Sequence, residues 1–140
     1  MFGWLQRRAP KAPDRHETGL WGEQQAERLL TQKGYRIVGR RVRVGRRDEI
    51  DLVARDGQVL VFVEVKTRKG EAYGAPAASV DRNKRRVLSR AAVRYMKKLR
   101  APPPYFRFDV VEVIGTKGCE TPSVRHIERA FGLDERYRFP

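Results

Sequence analysis

Two acidic side chains and a lysine are spaced in this chain as a hydrolytic metal site would need them. Twelve residues separate Asp51 from Glu64, and Lys66 follows Glu64 by two positions. Successive side chains of a strand alternate between its faces, so Glu64 and Lys66 share one face. Carboxylates can hold a divalent cation beside a phosphate, and an ammonium group can stabilise the charge that develops there. The pattern favours metal-dependent hydrolysis of phosphodiesters.

A solvated sheet face that merely carries surface charges is the alternative interpretation. It is disfavoured because Leu60 and Phe62 continue the face of Glu64, and large apolar side chains need cover. We therefore expect the charged end of this face to adjoin a buried core.

A hairpin is predicted to bring the acidic residues together. The dipeptide Asp56-Gly57 is typical of a type I′ turn between two strands. With these two residues in the loop, Asp51 would face Phe62 across the ladder, and Glu49 would face Glu64. Three carboxylates on one side of a half-buried sheet repel one another unless a proton or a cation neutralises them. Ligation by oxygen alone favours Mg²⁺ or Mn²⁺.

A helix over residues 17–33 is predicted to cover one face of this sheet. Its apolar stripe consists of Leu20, Ala26, Leu29 and Leu30. Glu23 lies within the stripe, and a carboxylate aimed at the core needs a partner. That partner is either an internal arginine or the metal site, directly or through water.

The remaining elements predict an α/β fold. Strands are expected at 35–44, with a bulge at Gly39, and then at 106–114 and 123–131, with a second helix at 81–99. Together with the hairpin they give the order α-β-β-β-α-β-β, which predicts a mixed central β-sheet flanked by helices. Asp109 is expected to make structural hydrogen bonds, and His126 is expected at the surface.

The basic residues predict a polyanionic partner. The chain of 140 residues has a formal net charge of +14, which favours nucleic acid, although a basic membrane-surface protein would have a similar charge. For the arginines of the first strand, the alternative to phosphate contacts is a solvated edge strand that carries charge. For Lys84, the alternative is a lysine whose aliphatic part covers apolar surface while its ammonium group stays in solvent. The predicted nucleic-acid-binding residues are Arg40, Arg41, Arg43, Arg46, Arg47, Arg68, Lys84 and Arg85.

The ends of the chain differ in character from its centre. Residues 1–15 are predicted to form a flexible basic arm, with a small interfacial anchor as the alternative, 16–132 the domain, and 133–140 a tail. The single cysteine, Cys119, permits no internal disulfide. No signal peptide or membrane-spanning stretch is recognisable. These features predict a cytoplasmic protein.

The spacing of Asp51 and Glu64-x-Lys66 resembles the PD-(D/E)xK nuclease signature. The wider sequence resembles the YraN-like family of bacterial endonuclease-like proteins, which are similar to archaeal Holliday-junction resolvases. The matching segments are Gly19-x-x-Gly22-Glu23-x-x-Ala26, Gly34-Tyr35-x-Ile37, Glu49-Ile50-Asp51-Leu52-Val53-Ala54, Val61-Phe62-Val63-Glu64-Val65-Lys66-Thr67-Arg68, Phe108-Asp109-Val110-Val111 and His126-Ile127-x-x-Ala130-Phe131.

This resemblance implies a restriction-endonuclease-like core and a Mg²⁺- or Mn²⁺-dependent endonuclease acting on DNA, including junctions or branched DNA. It implies that Asp51, Glu64 and the carbonyl of Val65 hold the metal, with Glu23 nearby, and that Lys66 positions the attacking water. A junction resolvase would need a homodimer to cut two strands. A non-catalytic nucleic-acid-binding module is the alternative function.

The chain departs from the family pattern at Asp48, where the family usually has glycine before Glu-Ile-Asp. Its carboxylate would either add charge beside the metal or cap the entry to the strand.

Overall fold

The computed structural model describes residues 14–69, 80–118 and 121–137. The described part contains two helices and five strands in the predicted order α-β-β-β-α-β-β, which confirms the α/β class. The elements are α1 (Arg15–Gln32), β1 (Arg36–Val44), β2 (Asp48–Asp56), β3 (Val59–Arg68), α2 (Arg82–Lys97), β4 (Tyr105–Ile114) and β5 (Ser123–Phe131).

The five strands form one mixed sheet in the spatial order β1-β2-β3-β4-β5. Neighbouring strands are antiparallel except for β3 and β4, which run parallel along their whole length. Two parallel strands need a long crossover connection, and α2 lies within that connection. The fold is consistent with a restriction-endonuclease-like core.

Each face of the sheet has its own hydrophobic core. Phe62 and Phe108 pack with α2 residues such as Leu88 in one cluster. Val61 and Val63 pack with α1 on the other face. β3 contributes to both clusters because its side chains alternate, and this explains its nearly continuous apolar sequence.

The hairpin has a different turn from the predicted one. Asp56 pairs with Val59, so the two loop residues are Gly57 and Gln58, and the predicted loop Asp56-Gly57 is wrong. Gly57 has a φ of 59°, as at the first central position of a type II′ turn, where glycine is preferred. The pairing is therefore shifted by two residues from the predicted register.

α1 begins earlier than predicted and buries a different apolar side chain. Asp14 caps the helix by accepting a hydrogen bond from the Glu17 N–H at 2.8 Å. The predicted stripe is wrong at Leu20, which is 37% exposed, whereas Trp21 is 8% exposed and packs on the sheet. Ala26 and Leu30 are fully buried as predicted.

His126 is buried, so the prediction of a surface histidine is wrong. Its side chain is 1% exposed, and its Nε2 lies 2.7 Å from the carboxylate of Asp109. Arg107 and the Arg129 N–H also donate to Asp109, which confirms the structural role predicted for that residue. The pKa of Asp109 is lowered because these hydrogen bonds outweigh the opposing effect of burial.

The predicted N-terminal arm, residues 1–15, lies mainly outside the described residues. Within the described ranges, neither helix is both long enough and apolar enough to cross a membrane.

Candidate metal centre

Asp51 lies where the ladder between β2 and β3 ends. The last paired residues at this end are Leu52 and Val63, and the same register continued by one residue sets Asp51 opposite Glu64. The Val65 N–H donates a hydrogen bond of 2.8 Å to the Asp51 carboxylate. Asp51 is therefore fixed to the strand that carries Glu64.

The backbone around Asp51 departs from regular strand geometry. Ile50 and Val53 both belong to the core on the α2 side, whereas a spacing of three residues in a regular strand would place them on opposite faces. On the neighbouring strand β1, Arg41 has a φ of 45°, in the left-handed region. Non-glycine residues in that region are strained and tend to occur at functional sites.

The environment of Asp51 disfavours its charged form. Burial is the largest cause, and the negative charge of Glu64 is the next, so that the pKa of Asp51 rises from 3.8 to about 7. Glu23 acts in the same direction, whereas the Val65 N–H and the Lys84 ammonium oppose the rise. A carboxyl group in this position requires either a proton or a nearby cation to be stable.

Glu64 has one oxygen near a cation and one oxygen without a partner. Its side chain is 12% exposed, and Oε1 lies 3.6 Å from Nζ of Lys84. Oε2 is buried and accepts no hydrogen bond from any described residue. An ionised carboxylate oxygen can only accept, and leaving it buried without a donor or cation is costly. This unsatisfied oxygen fits a bound metal ion.

Glu23 approaches the site from α1 and is paired with Arg41. The Arg41 Nε donates to Glu23 Oε2 at 2.7 Å, with side chains 32% and 15% exposed respectively. The alternative of an internal arginine partner is thus confirmed, although Glu23 also lies close enough to raise the pKa of Asp51. Gly22 allows this approach, because a Cβ there would lie 1.9 Å from Oγ1 of Thr67 on β3.

The donor set for a metal is therefore small. Within the described ranges, no three Asp, Glu, His or Cys side chains converge to form a metal site by themselves. Asp51 and Glu64 are the two carboxylates that face each other, and Val65 between Glu64 and Lys66 is half-buried on the same strand. Two carboxylates, one main-chain carbonyl and water are a chemically suitable set for Mg²⁺ or Mn²⁺.

Glu49 does not join the other carboxylates as the predicted register required. Its side chain is 42% exposed and lies 4.0 Å from Arg43, whose side chain is 83% exposed. The corrected register sets Glu49 beyond the end of the β2–β3 ladder, away from Glu64. The third carboxylate near Asp51 is Glu23 instead.

Asp48 neither lies beside Asp51 as an extra charge nor only caps a strand. Its side chain is 3% exposed and accepts two hydrogen bonds from Arg90 of α2, at 2.7 and 2.8 Å. The hydrogen bonds from Arg90 lower the pKa of Asp48. This bidentate pair ties the start of β2 to α2, and no local pattern in the sequence marks Arg90 as the partner of Asp48.

The predicted phosphate-binding residues differ in exposure and in the contacts they already make within the protein. Arg40 forms an ion pair with Glu27, as Arg41 does with Glu23, so both connect β1 to α1. Arg43, Arg46 and Arg47 are exposed, Arg68 is half-buried at the end of β3, and Lys84 lies at Glu64. Arg85 donates to the Val80 carbonyl and lies over the ring of Phe131.

The comparisons with known proteins identify a family. A model described as "Uncharacterised protein family UPF0102" matches residues 22–113. A UPF0102 protein of Symbiobacterium thermophilum is 56% identical over 95 residues, covering 68% of this chain and 80% of the relative. UPF0102 proteins of Chlorobaculum tepidum and Nocardia farcinica are 42% and 41% identical, each over 84% of this chain and over 94% and 91% of the relatives. The chain therefore belongs to the UPF0102 family, the YraN-like group that its motifs resemble.

Proposed function

We propose that this protein is an endonuclease that uses Mg²⁺ or Mn²⁺ to hydrolyse phosphodiester bonds in DNA, with branched DNA among its substrates. The observation that carries the proposal is the buried Oε2 of Glu64, which accepts no hydrogen bond from the described residues, in a side chain whose charge raises the pKa of Asp51. A protein that only bound phosphates would gain nothing from buried carboxylates near its nucleic-acid surface, because they repel the ligand.

Asp51, Glu64 and the carbonyl of Val65 would hold the cation. When bound, the cation lowers the pKa of a water molecule and neutralises charge on the scissile phosphate. The Val65 N–H donates to the Asp51 carboxylate and would keep it oriented toward the cation. Glu23 and its partner Arg41 would contact solvent around this group.

Lys66 and Lys84 would supply positive charge next to the carboxylates. Lys66 lies two residues beyond Glu64 on the same face and would position the attacking water and stabilise the transition state. Lys84 lies 3.6 Å from Glu64 and partly balances its charge. We expect Lys84 to contact a phosphate once the carboxylates are neutralised.

Exposed arginines beside the site would hold the DNA backbone. Arg43, Arg46 and Arg47 are exposed at the end of β1 and in the turn before β2, which leads to Asp51. Contacts of this kind bind phosphates without reading bases, so affinity should fall linearly with salt on logarithmic axes.

A cleavage assay tests the proposal. Supercoiled, linear, flapped and four-way-junction DNA are incubated with the protein in Mg²⁺, in Mn²⁺ and in EDTA. We expect cleavage of at least one substrate with either metal, none in EDTA, and none by Glu64→Gln. Glu49→Gln is the matched control, since Glu49 lies on the same hairpin but outside the site, and it should cut as the parent does. Binding without cleavage of any substrate would favour a non-catalytic nucleic-acid-binding module.

A further inference from the structure

A trough at the end of the sheet where β3 and β4 begin and β5 ends has an aromatic end and a basic end. The aromatic end is a groove of about 670 Å³, lined by Tyr105, Phe106 and Phe131 among others, and none of the described residues that line it carries a carboxylate. Tyr105 is 63% exposed, an unusual state for a large ring at the start of a strand. Arg129, which is exposed, lines the same groove.

The basic end adjoins the aromatic end. Phe131, Gly132 and Leu133 line the groove and also the neighbouring depression, which is lined by arginines and two acids. Four arginines and two acids surround this end, so the lining has an excess of positive charge. They are Arg82, Arg85, Arg86, Arg136, Asp134 and Glu135.

Arg86 has an unused donor at the basic end. Its terminal nitrogen donates to Asn83 at 2.8 Å, but its Nε is buried and has no acceptor among the described residues. Arg86 lines a pocket that adjoins the depression, and Arg82 and Arg136 line both. A buried guanidinium N–H without an acceptor is costly, and a phosphate oxygen would satisfy it.

The first turn of α2 separates this trough from the metal centre. Lys84 points to Glu64, whereas Arg82 and Arg85 line the trough. Val59, at the aromatic end, lies five residues before Glu64 along β3, a separation of roughly 16 Å. One nucleic acid could therefore contact both places at once.

We propose that the trough binds an unpaired strand of nucleic acid, with bases stacked at Tyr105 and phosphates held by Arg82, Arg86 and Arg136. Exposed aromatic rings beside a cationic groove are how proteins bind single strands without reading sequence. The net charge of +14 favours this polyanionic occupant over a peptide or a second copy of the chain. The inference deepens the proposed endonuclease function, because it names an unpaired strand as part of the substrate. The binding itself is independent of that function, and the consequence for cleavage rests on it.

The test is binding in EDTA, so that neither metal nor hydrolysis is involved. Fluorescence anisotropy compares an oligothymidylate with an abasic oligomer that has the same number of phosphates. We expect the oligothymidylate to bind more tightly. Tyr105→Leu should weaken its binding about fivefold or more while leaving the abasic oligomer unaffected, and Tyr105→Phe should bind as the parent does.

The arginines are tested in the same assay. Arg82→Gln should weaken both oligomers and lower the magnitude of the logarithmic salt slope by about 0.7. Arg36→Gln, an exposed arginine of β1 outside the trough, is the matched control and should change neither. Both tested side chains are exposed, so the variants should keep the parent's circular dichroism and thermal midpoint.

Three results would overturn the inference. Tyr105→Leu could bind oligothymidylate as tightly as the parent, or Arg36→Gln could weaken binding as much as Arg82→Gln. Sedimentation could also reveal a dimer that Tyr105→Leu dissociates, which would make a second copy the occupant. The binding test in EDTA and the cleavage assay are independent, so a negative result in one does not change the interpretation of the other.

Discussion

The raised pKa of Asp51 predicts that the metal-free protein loses stability as the pH rises. The pKa is 3.8 in an unfolded chain and about 7 in the folded protein. Between these values the folded state binds more protons than the unfolded state, so the free energy of unfolding falls with increasing pH. A difference of roughly three units corresponds to at most about 4 kcal/mol. Partial exposure and relaxation reduce this value, and we expect a loss of about 1–3 kcal/mol.

The experiment is urea denaturation in EDTA at several pH values between 4 and 8.5, for the parent and for Asp51→Asn. Asparagine keeps an oxygen that can accept from the Val65 N–H but has no charge to titrate. The parent should therefore lose stability relative to the variant across this range. Saturating Mg²⁺ at pH 8 should restore it, because a cation favours the charged carboxylate. Parallel pH profiles for the two proteins would refute the environment inferred for Asp51.

Two further substitutions separate the chemistry from the scaffold. Lys66→Ala should reduce cleavage by about 10²–10³-fold, the scale for one preorganised charge, while the thermal midpoint and the response to Mn²⁺ remain; cleavage at the parent's rate would remove Lys66 from the mechanism. Arg90→Met leaves the buried Asp48 carboxylate unpaired, so the free energy of unfolding should fall by about 3 kcal/mol. Adding Asp48→Leu should recover much of that loss, and a denaturation series that finds Arg90→Met neutral would contradict the ion pair.

The element order and the nearness of Asp51 to Glu64 could be predicted from the sequence, but not their register. Apolar periodicity and turn residues define the elements, and the alternation of side chains fixes the faces. The predicted turn, Asp56-Gly57, begins one residue before the observed turn, Gly57-Gln58. The sequence does not distinguish them, because either dipeptide can form a two-residue turn. That error shifts the pairing by two residues, so each side chain keeps its face while its partner changes. The predicted position of Glu49 opposite Glu64 is consequently wrong.

Partners distant in sequence could not be predicted in this way. The pairs Asp48–Arg90 and Asp109–His126 join residues 42 and 17 positions apart. No local pattern identifies them, because the contacts depend on how α2 packs on the sheet and how β5 pairs with β4. The sequence offered one signal: position 48 is aspartate where the family usually has glycine, and a carboxylate buried there requires a cation.

The relation between Glu23 and Arg41 was left open by the sequence for a similar reason. A carboxylate within an apolar stripe needs a partner, and either an arginine or the metal site would meet that need. The structure gives Glu23 the arginine and leaves it near Asp51 as well. Helix periodicity identified the residue but could not identify the strand residue opposite it.

Calorimetric titration with Mn²⁺ at pH 8 tests most directly whether Asp51 and Glu64 hold a cation. The parent and Glu49→Gln should each bind Mn²⁺ at one site, whereas Glu64→Gln and Asp51→Asn should lose that site. The Oε2 of Glu64 is the unsatisfied acceptor in the centre, so its removal should matter most. Equal binding of Mn²⁺ by Glu64→Gln and by the parent would contradict the metal centre and, with it, the proposed hydrolysis.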